Sequence, residues 1–324
     1  MSYIFKNPRM IYDPFYQKET QVHPWEYELL QSSAVKRLKF LSHYGTASFT
    51  TSAKHSRYEH TVGVWTIIAN HFPKEEELRI AALLHDIGHL PFSHAVERTL
   101  GFNHHIITEE YILSEEVSSI LKNHGFTPSA IIDLLNIDTP VSHKTPFLSA
   151  DHLDSFLRDA YMLGKLNEHP SNFIDKISFT ENYVEADLAT SRIIMEAILA
   201  DHLSFLKPIH LALDAILAKS ISIYASHMKI ELKRIQYLTN HELLQLLIHS
   251  NLREVNQLLE LLLWNPERIR VSCEEFPSSE KIEVKKVYDK SPLVQGTPLN
   301  ELLPEANDIL EHIRSLKKTY YYSY

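Results

Sequence analysis

The sequence predicts a mostly α-helical protein, and three features carry that expectation. Seven glycines occur in 324 residues, and helix interiors exclude Gly because its backbone loses the most freedom on ordering. Long segments repeat apolar residues at three- and four-residue spacing, the period of an amphipathic helix. Several of these segments also begin and end on residues that start and stop helices.

Taken in order, residues 1–30 hold several aromatics with Pro8, Pro14 and Pro24 and read as an irregular or short-stranded N-terminal segment. WEYELLQSSAVKRLKFL (25–41) and YEHTVGVWTIIANHF (58–72) keep the helical period. EEELRIAALLHDIG (75–88) opens on acidic residues, which favour a helix N-terminus, and has Gly88 near its end. LSEEVSSILKNHG (113–125) is a helix stopped by Gly125, TPSAIIDLLN (127–136) has a Thr-Pro start, and SADHLDSFLRDAYMLG (149–164) ends on Gly164. A break at KLNEHPSNF (165–173) precedes a strand-like stretch at 176–186, and helices resume over about 188–264. HELLQLLIHSNLREVNQLLELLLW (241–264) is apolar enough for a buried or oligomer-facing helix pair. Residues 268–290 alternate like a two-stranded ribbon joined by Pro277-Ser278-Ser279, and a final helix is expected over 300–318. The break divides residues 1–165 from a mainly helical C-terminal lobe, 166–324. That lobe is expected to complete the pocket and to form a homo-oligomer.

Composition narrows the function classes. Hydrophobic content of 44% and charged content of 23% suit a soluble globular protein. No continuous apolar run reaches the 18–20 residues of a membrane span, and the N-terminus lacks a signal-peptide apolar core. One cysteine, Cys273, rules out an internal disulfide and suits a reducing compartment. The expectation is a cytoplasmic protein with no membrane partner. A net charge of −9 makes nucleic acid an unfavoured partner, since a basic face supplies non-specific affinity for it. The basic stretches at 36–39 and 314–318 are read as solvated helix faces.

Four separated residues carry most of the chemistry: His60, the adjacent pair His85-Asp86, and Asp151. Two imidazoles and two carboxylates form a protein-side ligand set for a divalent metal. Within HDIGH (85–89), helical spacing puts His85 and His89 on one face and turns Asp86 by about 100°. An adjacent His-Asp pair meets one metal where a helix ends.

These residues, in the strings RYEH (57–60), HDIGHLPFSH (85–94) and DHLDSFLRDAY (151–161), resemble the HD-domain metal-dependent phosphohydrolases. Within them they are most similar to the branch containing deoxynucleoside triphosphate triphosphohydrolases. The similarity covers roughly residues 10–215. It implies an HD-domain helical core with a helical C-terminal lobe and a small β-ribbon, and a metal bound by His60, His85, Asp86 and Asp151. Mn, Fe, Co, Ni, Zn and Mg all suit such a set, as one ion with the option of a second. Arg57 matches a phosphate-gripping arginine, and His89 and His94 match histidines lining the phosphate channel. His94 is the candidate general acid, with Glu97 to orient it. His104 matches another phosphate-side histidine, a one-residue slip to His105 being the alternative.

The remainder of the expected pocket departs from the triphosphohydrolase pattern. His152 stands where a basic residue is frequent, Ser155 replaces a sugar-packing Tyr, and His43-Tyr44 replace Gln-Leu. Asp159 matches a carboxylate that meets a sugar hydroxyl. The arginine expected after residue 190 is replaced near Asp201 or His202, leaving Lys207 as the cation. A looser sugar grip and fewer phosphate clamps would let a substrate slide along the metal. The resemblance therefore implies a nucleotide phosphohydrolase with two candidate outcomes. One is release of tripolyphosphate from a (deoxy)nucleoside triphosphate. The other is stepwise removal of phosphates from a nucleotide or nucleotide analogue, as in the phosphohydrolases of nucleoside-antibiotic pathways such as that for oxetanocin. A catalytically silent nucleotide-binding regulator is the alternative from a different class.

Overall fold

A computed structural model describes residues 4–7 and 9–324; Pro8 lies outside them. Strands β1 (Ile4–Asn7), β2 (Met10–Asp13) and β3 (Lys18–Gln21) form an antiparallel meander. The helix expected over 25–41 is divided into α1 (Pro24–Gln31), α2 (Ser33–Arg37) and a 3₁₀ turn at Leu38–Phe40. Ser32 causes the first break: its backbone is extended and its side chain accepts the Val35 N–H, capping α2.

Helices α3 (Arg57–His71), α4 (Glu76–Leu84), α5 (Glu97–Leu100), α6 (His104–Leu113), α7 (Glu115–Asn123), α8 (Pro128–Asn136) and α9 (Ala150–Met162) follow. The sequence punctuation holds. Gly125 (φ +84°) and Gly164 (φ +66°) adopt the left-handed conformation just beyond α7 and α9. After the hairpin β4 (Ile177–Thr180) and β5 (Tyr183–Ala186) come α10 (Leu188–Phe205), α11 (Pro208–Met228), α12 (Asn240–Ile248) and α13 (Arg253–Leu263). By length and composition α11 could cross a membrane, yet 56% of its most apolar window is buried inside the protein.

The C-terminal region differs from the expected ribbon. Strands β6 (Arg270–Ser272) and β7 (Glu280–Glu283) do not pair with each other. After β8 (Leu293–Val294), β9 (Thr297–Pro298), α14 (Leu299–Leu302) and α15 (Pro304–Ser315), the last strand β10 (Thr319–Ser323) inserts between them, giving the order β6-β10-β7. The tyrosine run supplies the reason: Tyr320 and Tyr322 are buried while Tyr321 is half-buried, a strand's two-residue alternation. The single terminal helix is interrupted because Pro304 cannot continue α14 and instead opens α15.

Two cores position the site. The larger gathers side chains from α1, α3, α4, α9, α10 and α15, among them Trp65, Leu83, Leu157, Ile194 and Leu310, and so spans both sides of residue 165. In the second, Ile216, Leu247 and Leu258 of α11–α13 close over Leu90, Phe92, Val96 and Ile107. The apolar pair α12–α13 is therefore largely an internal wall, with Leu246, Ile248 and Trp264 left exposed.

Candidate metal centre and phosphate pocket

Ser56 and Glu59 form a capping box at the start of α3. That cap sets Arg57 and His60 in the helix's first turn, Arg57 toward Asp86 and Ser93 and His60 toward α9. Ser149 caps α9 by accepting the His152 N–H, placing Asp151 in its first turn. The helices approach closely because of Gly63: a Cβ there would lie 2.0 Å from Asp154 Oδ1. Helix α4 stops at Leu84, so His85 and Asp86 leave it through a turn. This is how adjacent residues face one point.

The four expected ligands come together. His60 Nε2 is 3.1 Å from Asp151 Oδ1, 3.3 Å from His85 Nε2 and 3.6 Å from Asp86 Oδ2. His85 Nε2 is 3.6 Å from Asp86 Oδ1 and 3.9 Å from Asp151 Oδ1. The other nitrogens are committed: His60 Nδ1 donates to Asp154 Oδ2 at 2.9 Å and His85 Nδ1 to the Ala82 carbonyl at 2.8 Å. Both Nε2 lone pairs then face the cluster. Bonds of about 2.1 Å to one divalent ion at near-right angles would space ligand atoms about 3 Å apart, so this set fits such an ion. Asp154 also accepts from Arg158 and from the Tyr16 hydroxyl at 2.7 Å, locking the His60 ring. Burial raises the Asp154 carboxyl, but Arg158 and His60 outweigh it and hold the group below its usual range.

Arg57 is buried, donating from Nη1 to Asp86 Oδ2 at 2.7 Å and from Nε to Ser93 Oγ at 2.8 Å. His89 Nε2 lies 3.2 Å from the other Asp86 oxygen, and its ring stacks on His104 at 4.2 Å. Glu97 joins the remaining pair, accepting from His94 Nδ1 at 2.7 Å and His104 Nδ1 at 2.5 Å. Burial raises this carboxyl, but the two histidines outweigh it and hold Glu97 ionised. His104, rather than exposed His105, joins Glu97. His94 is aimed by a strained turn: Phe92 (φ +59°) and Ser93 (φ +55°) are both left-handed. Asn240 Oδ1 accepts the Phe92 N–H, and Ser93 Oγ donates to the Ser42 carbonyl, fixing that turn.

Arg57, Asp86, His89, His94, Glu97, His104 and Asp151 line one cavity of about 1400 Å³. The same cavity is also lined by His152, Ser155, Phe156, Asp159, Asp201 and Tyr288. His152 hydrogen-bonds Ser149 Oγ at 2.9 Å and packs on Tyr288; burial pushes it down to about 3, so it is neutral. Ser155 Oγ is 3.4 Å from His43 Nε2. Burial pushes Asp159 up to about 7. Lys207 is the exception among the expected substrate contacts. It is exposed, capping the head of α11 just before Pro208, and does not line the cavity. The cavity's lysines are Lys144, Lys219, Lys281, Lys285 and Lys286. Sequence reading assigned no role to Tyr288, which neither spacing nor a local motif connects to Asp151. The same holds for His55, although it lies two residues before Arg57.

A helical fold that gathers two histidines and two aspartates from α3, the end of α4 and α9 defines the class. Residues 57–144 match the HD domain. An uncharacterized Bacillus subtilis protein, YdhJ, is 36% identical over 157 residues, 46% of this chain and 48% of that one. The metal-dependent phosphohydrolase cns2 of Cordyceps militaris is 32% identical over 166 residues, 49% of this chain and 47% of that one. The chain thus spans about half the length of the curated relatives it matches. Two solved structures share the fold: a hypothetical protein from Aquifex aeolicus (TM-score 0.69, 22% identity, 97% of this chain and 95% of that one) and a phosphohydrolase from Bacteroides thetaiotaomicron (TM-score 0.68, 19% identity, 97% and 99%).

Proposed function

We propose that this protein is a metal-dependent phosphohydrolase acting on nucleoside 5'-phosphates. The observation that carries the reading is the convergence of His60, His85, Asp86 and Asp151 beside Arg57, His89, His94 and His104. The name of the Cordyceps relative supports the class. A deoxynucleoside triphosphate triphosphohydrolase homolog of Dictyostelium discoideum, 26% identical over 172 residues, supports a nucleotide substrate. It covers 43% of this chain and 33% of that one.

A divalent ion held by the four ligands would polarise a phosphate oxygen and lower the pKa of a bound water. The chain's own groups supply the remainder. His89 and His104 present ring N–H groups to the phosphate, and Arg57, held on Asp86, supplies the fixed positive charge beside them. Burial lowers the His94 imidazole, while Glu97 opposes this at Nδ1. An incoming phosphate anion favours its charged form further, so His94 gives a proton to the leaving oxygen. The leaving nucleoside lies toward Phe156, Tyr288 and His152. Asp159 accepts from a sugar hydroxyl, and Ser155 leaves more space than an aromatic residue would.

The cleaved bond is either that to the α-phosphate, releasing tripolyphosphate, or a terminal bond, releasing orthophosphate stepwise. Phosphorus NMR of products from a deoxynucleoside triphosphate separates them. Tripolyphosphate as sole phosphorus product excludes the stepwise route, and accumulating orthophosphate with a nucleoside diphosphate excludes the other.

A further inference from the structure

Behind the metal-ligand set lies a second group of donors to which the hydrolytic scheme gives no ion. We propose that His43, His55 and Asp159 form a second divalent-cation site, of mixed nitrogen and oxygen donors, flanking the His60–His85–Asp86–Asp151 centre.

Three observations carry it. The donor atoms of His43, His55 and Asp159 all lie within 4.8 Å of one another. His55 Nε2 is 3.2 Å from Asp159 Oδ1, and His43 Nε2 is 3.7 Å from Asp159 Oδ2. All three residues are buried, with relative exposures of 7%, 3% and 4%. Yet His43 Nδ1, both ring nitrogens of His55 and Asp159 Oδ1 have no hydrogen-bond partner among the described residues. The short His55–Asp159 approach is therefore off the line of a hydrogen bond. Buried polar atoms without partners are costly and uncommon, and one ion would satisfy His55 Nε2 and Asp159 Oδ1 together, with His43 Nε2 beside them.

The donor chemistry suits a borderline cation such as Mn, Fe, Co or Zn. Burial keeps both imidazoles neutral, the form that ligates a metal. A second carboxyl, Asp201, packs on Asp159 and gains from the same positive charge. The nearby guanidiniums do not fill this role, since Arg57 is bound by Asp86 and Arg158 by Asp154. The other histidine group, His89, His94 and His104, is a weaker candidate. Its nitrogens already engage Asp86 and Glu97. The His43 ring is 4.5 Å from that of His60, so two ions here would be close neighbours.

The test counts metal without substrate, so its outcome is independent of whether the protein hydrolyses any nucleotide. Chelator-stripped full-length protein is titrated with Mn²⁺, following bound equivalents by elemental analysis and the electron paramagnetic resonance signal. Two equivalents with a spin-coupled signal are expected. His55→Gln and Asp159→Asn, checked for folding by circular dichroism, should each bind one equivalent with an uncoupled signal. One uncoupled equivalent in the wild-type protein at saturation overturns the proposal, as do two coupled equivalents in folded His55→Gln. Should both variants fail to fold, the wild-type stoichiometry and coupling still decide.

Discussion

His60 Nε2 and His85 Nε2 face each other across 3.3 Å. Each ring has spent its other nitrogen, on Asp154 and on the Ala82 carbonyl respectively. Two facing lone pairs repel unless a positive charge lies between them. Burial would lower His60, but hydrogen bonds to Asp151 and Asp154 outweigh it and push the ring up to about 9. The site draws in positive charge, and a divalent ion meets that demand better than a proton.

Asp86→Ala should remove the bound metal and bring phosphohydrolase activity below detection, with far-ultraviolet circular dichroism near wild type. It also strips Arg57 of its carboxylate partner. Full activity in this variant would refute the ligand assignment.

Asp154→Asn tests the orienting carboxylate. It keeps the shape of the residue and loses the charge that faces His60 Nδ1 and Arg158. Metal affinity should fall by about 10–100-fold, the usual effect of losing such a partner. Competition with a fluorescent chelator reads this directly, and unchanged affinity would remove Asp154 from the site.

Gly88→Ala should destabilise the protein and disturb the histidine wall. Its Cβ would meet Thr108 N at 2.2 Å and His104 O at 2.3 Å, both backbone atoms of α6, which have little room to move. A cost of about 1–3 kcal/mol is expected from such overpacking. Thermal unfolding measures it, and a wild-type midpoint would show that α6 is free to retreat.

Asp13 gives a pH signature from outside the ligand set, next to the Asp154–Arg158 pair that orients His60. Burial pushes its carboxyl up to about 6. The folded state therefore holds this proton more tightly than the unfolded chain. The stability it confers is present below about pH 4 and lost as pH rises through about 6, about 3 kcal/mol in all. Asp13→Asn keeps an acceptor for the Phe15 N–H, 2.8 Å away in the parent. It should flatten this part of the stability profile and raise the unfolding midpoint at pH 7.5. A variant profile parallel to the parent's would count against it.

The exposed Leu246, Ile248 and Trp264 leave apolar surface on the α12–α13 hairpin, and Trp264 is 76% exposed. We propose that this surface supports a homo-oligomer. Light scattering should show a multimer that Trp264→Glu dissociates, and a wild-type monomer at working concentration would contradict it.

Much of this fold was legible because local chemistry and tertiary packing agree. Ser56, Ser149, Gly125 and Gly164 do what their residue types favour. The misreadings lie where a distant segment decides. No local pattern tells β6 that it will pair with the last strand rather than with β7. The clustering of His60, His85, Asp86 and Asp151 was legible because their flanking strings are distinctive, and the contact of Glu97 with His94 because it lies one turn away. Tyr288 was not, since it reaches His152 across more than a hundred residues of chain. Lys207 shows the converse: its charge was visible in the sequence, while its exposed place at the head of α11, off the cavity lining, was not.

The most direct measurement is phosphorus-resolved product analysis over a nucleotide panel, using protein loaded in turn with Mn, Fe, Co, Ni, Zn and Mg. Metal-dependent phosphate release from at least one nucleoside phosphate, absent in Asp86→Ala, is the expected result. Metal-replete protein that binds a nucleotide tightly and hydrolyses none would contradict the proposed activity and mark the pocket as that of a regulator.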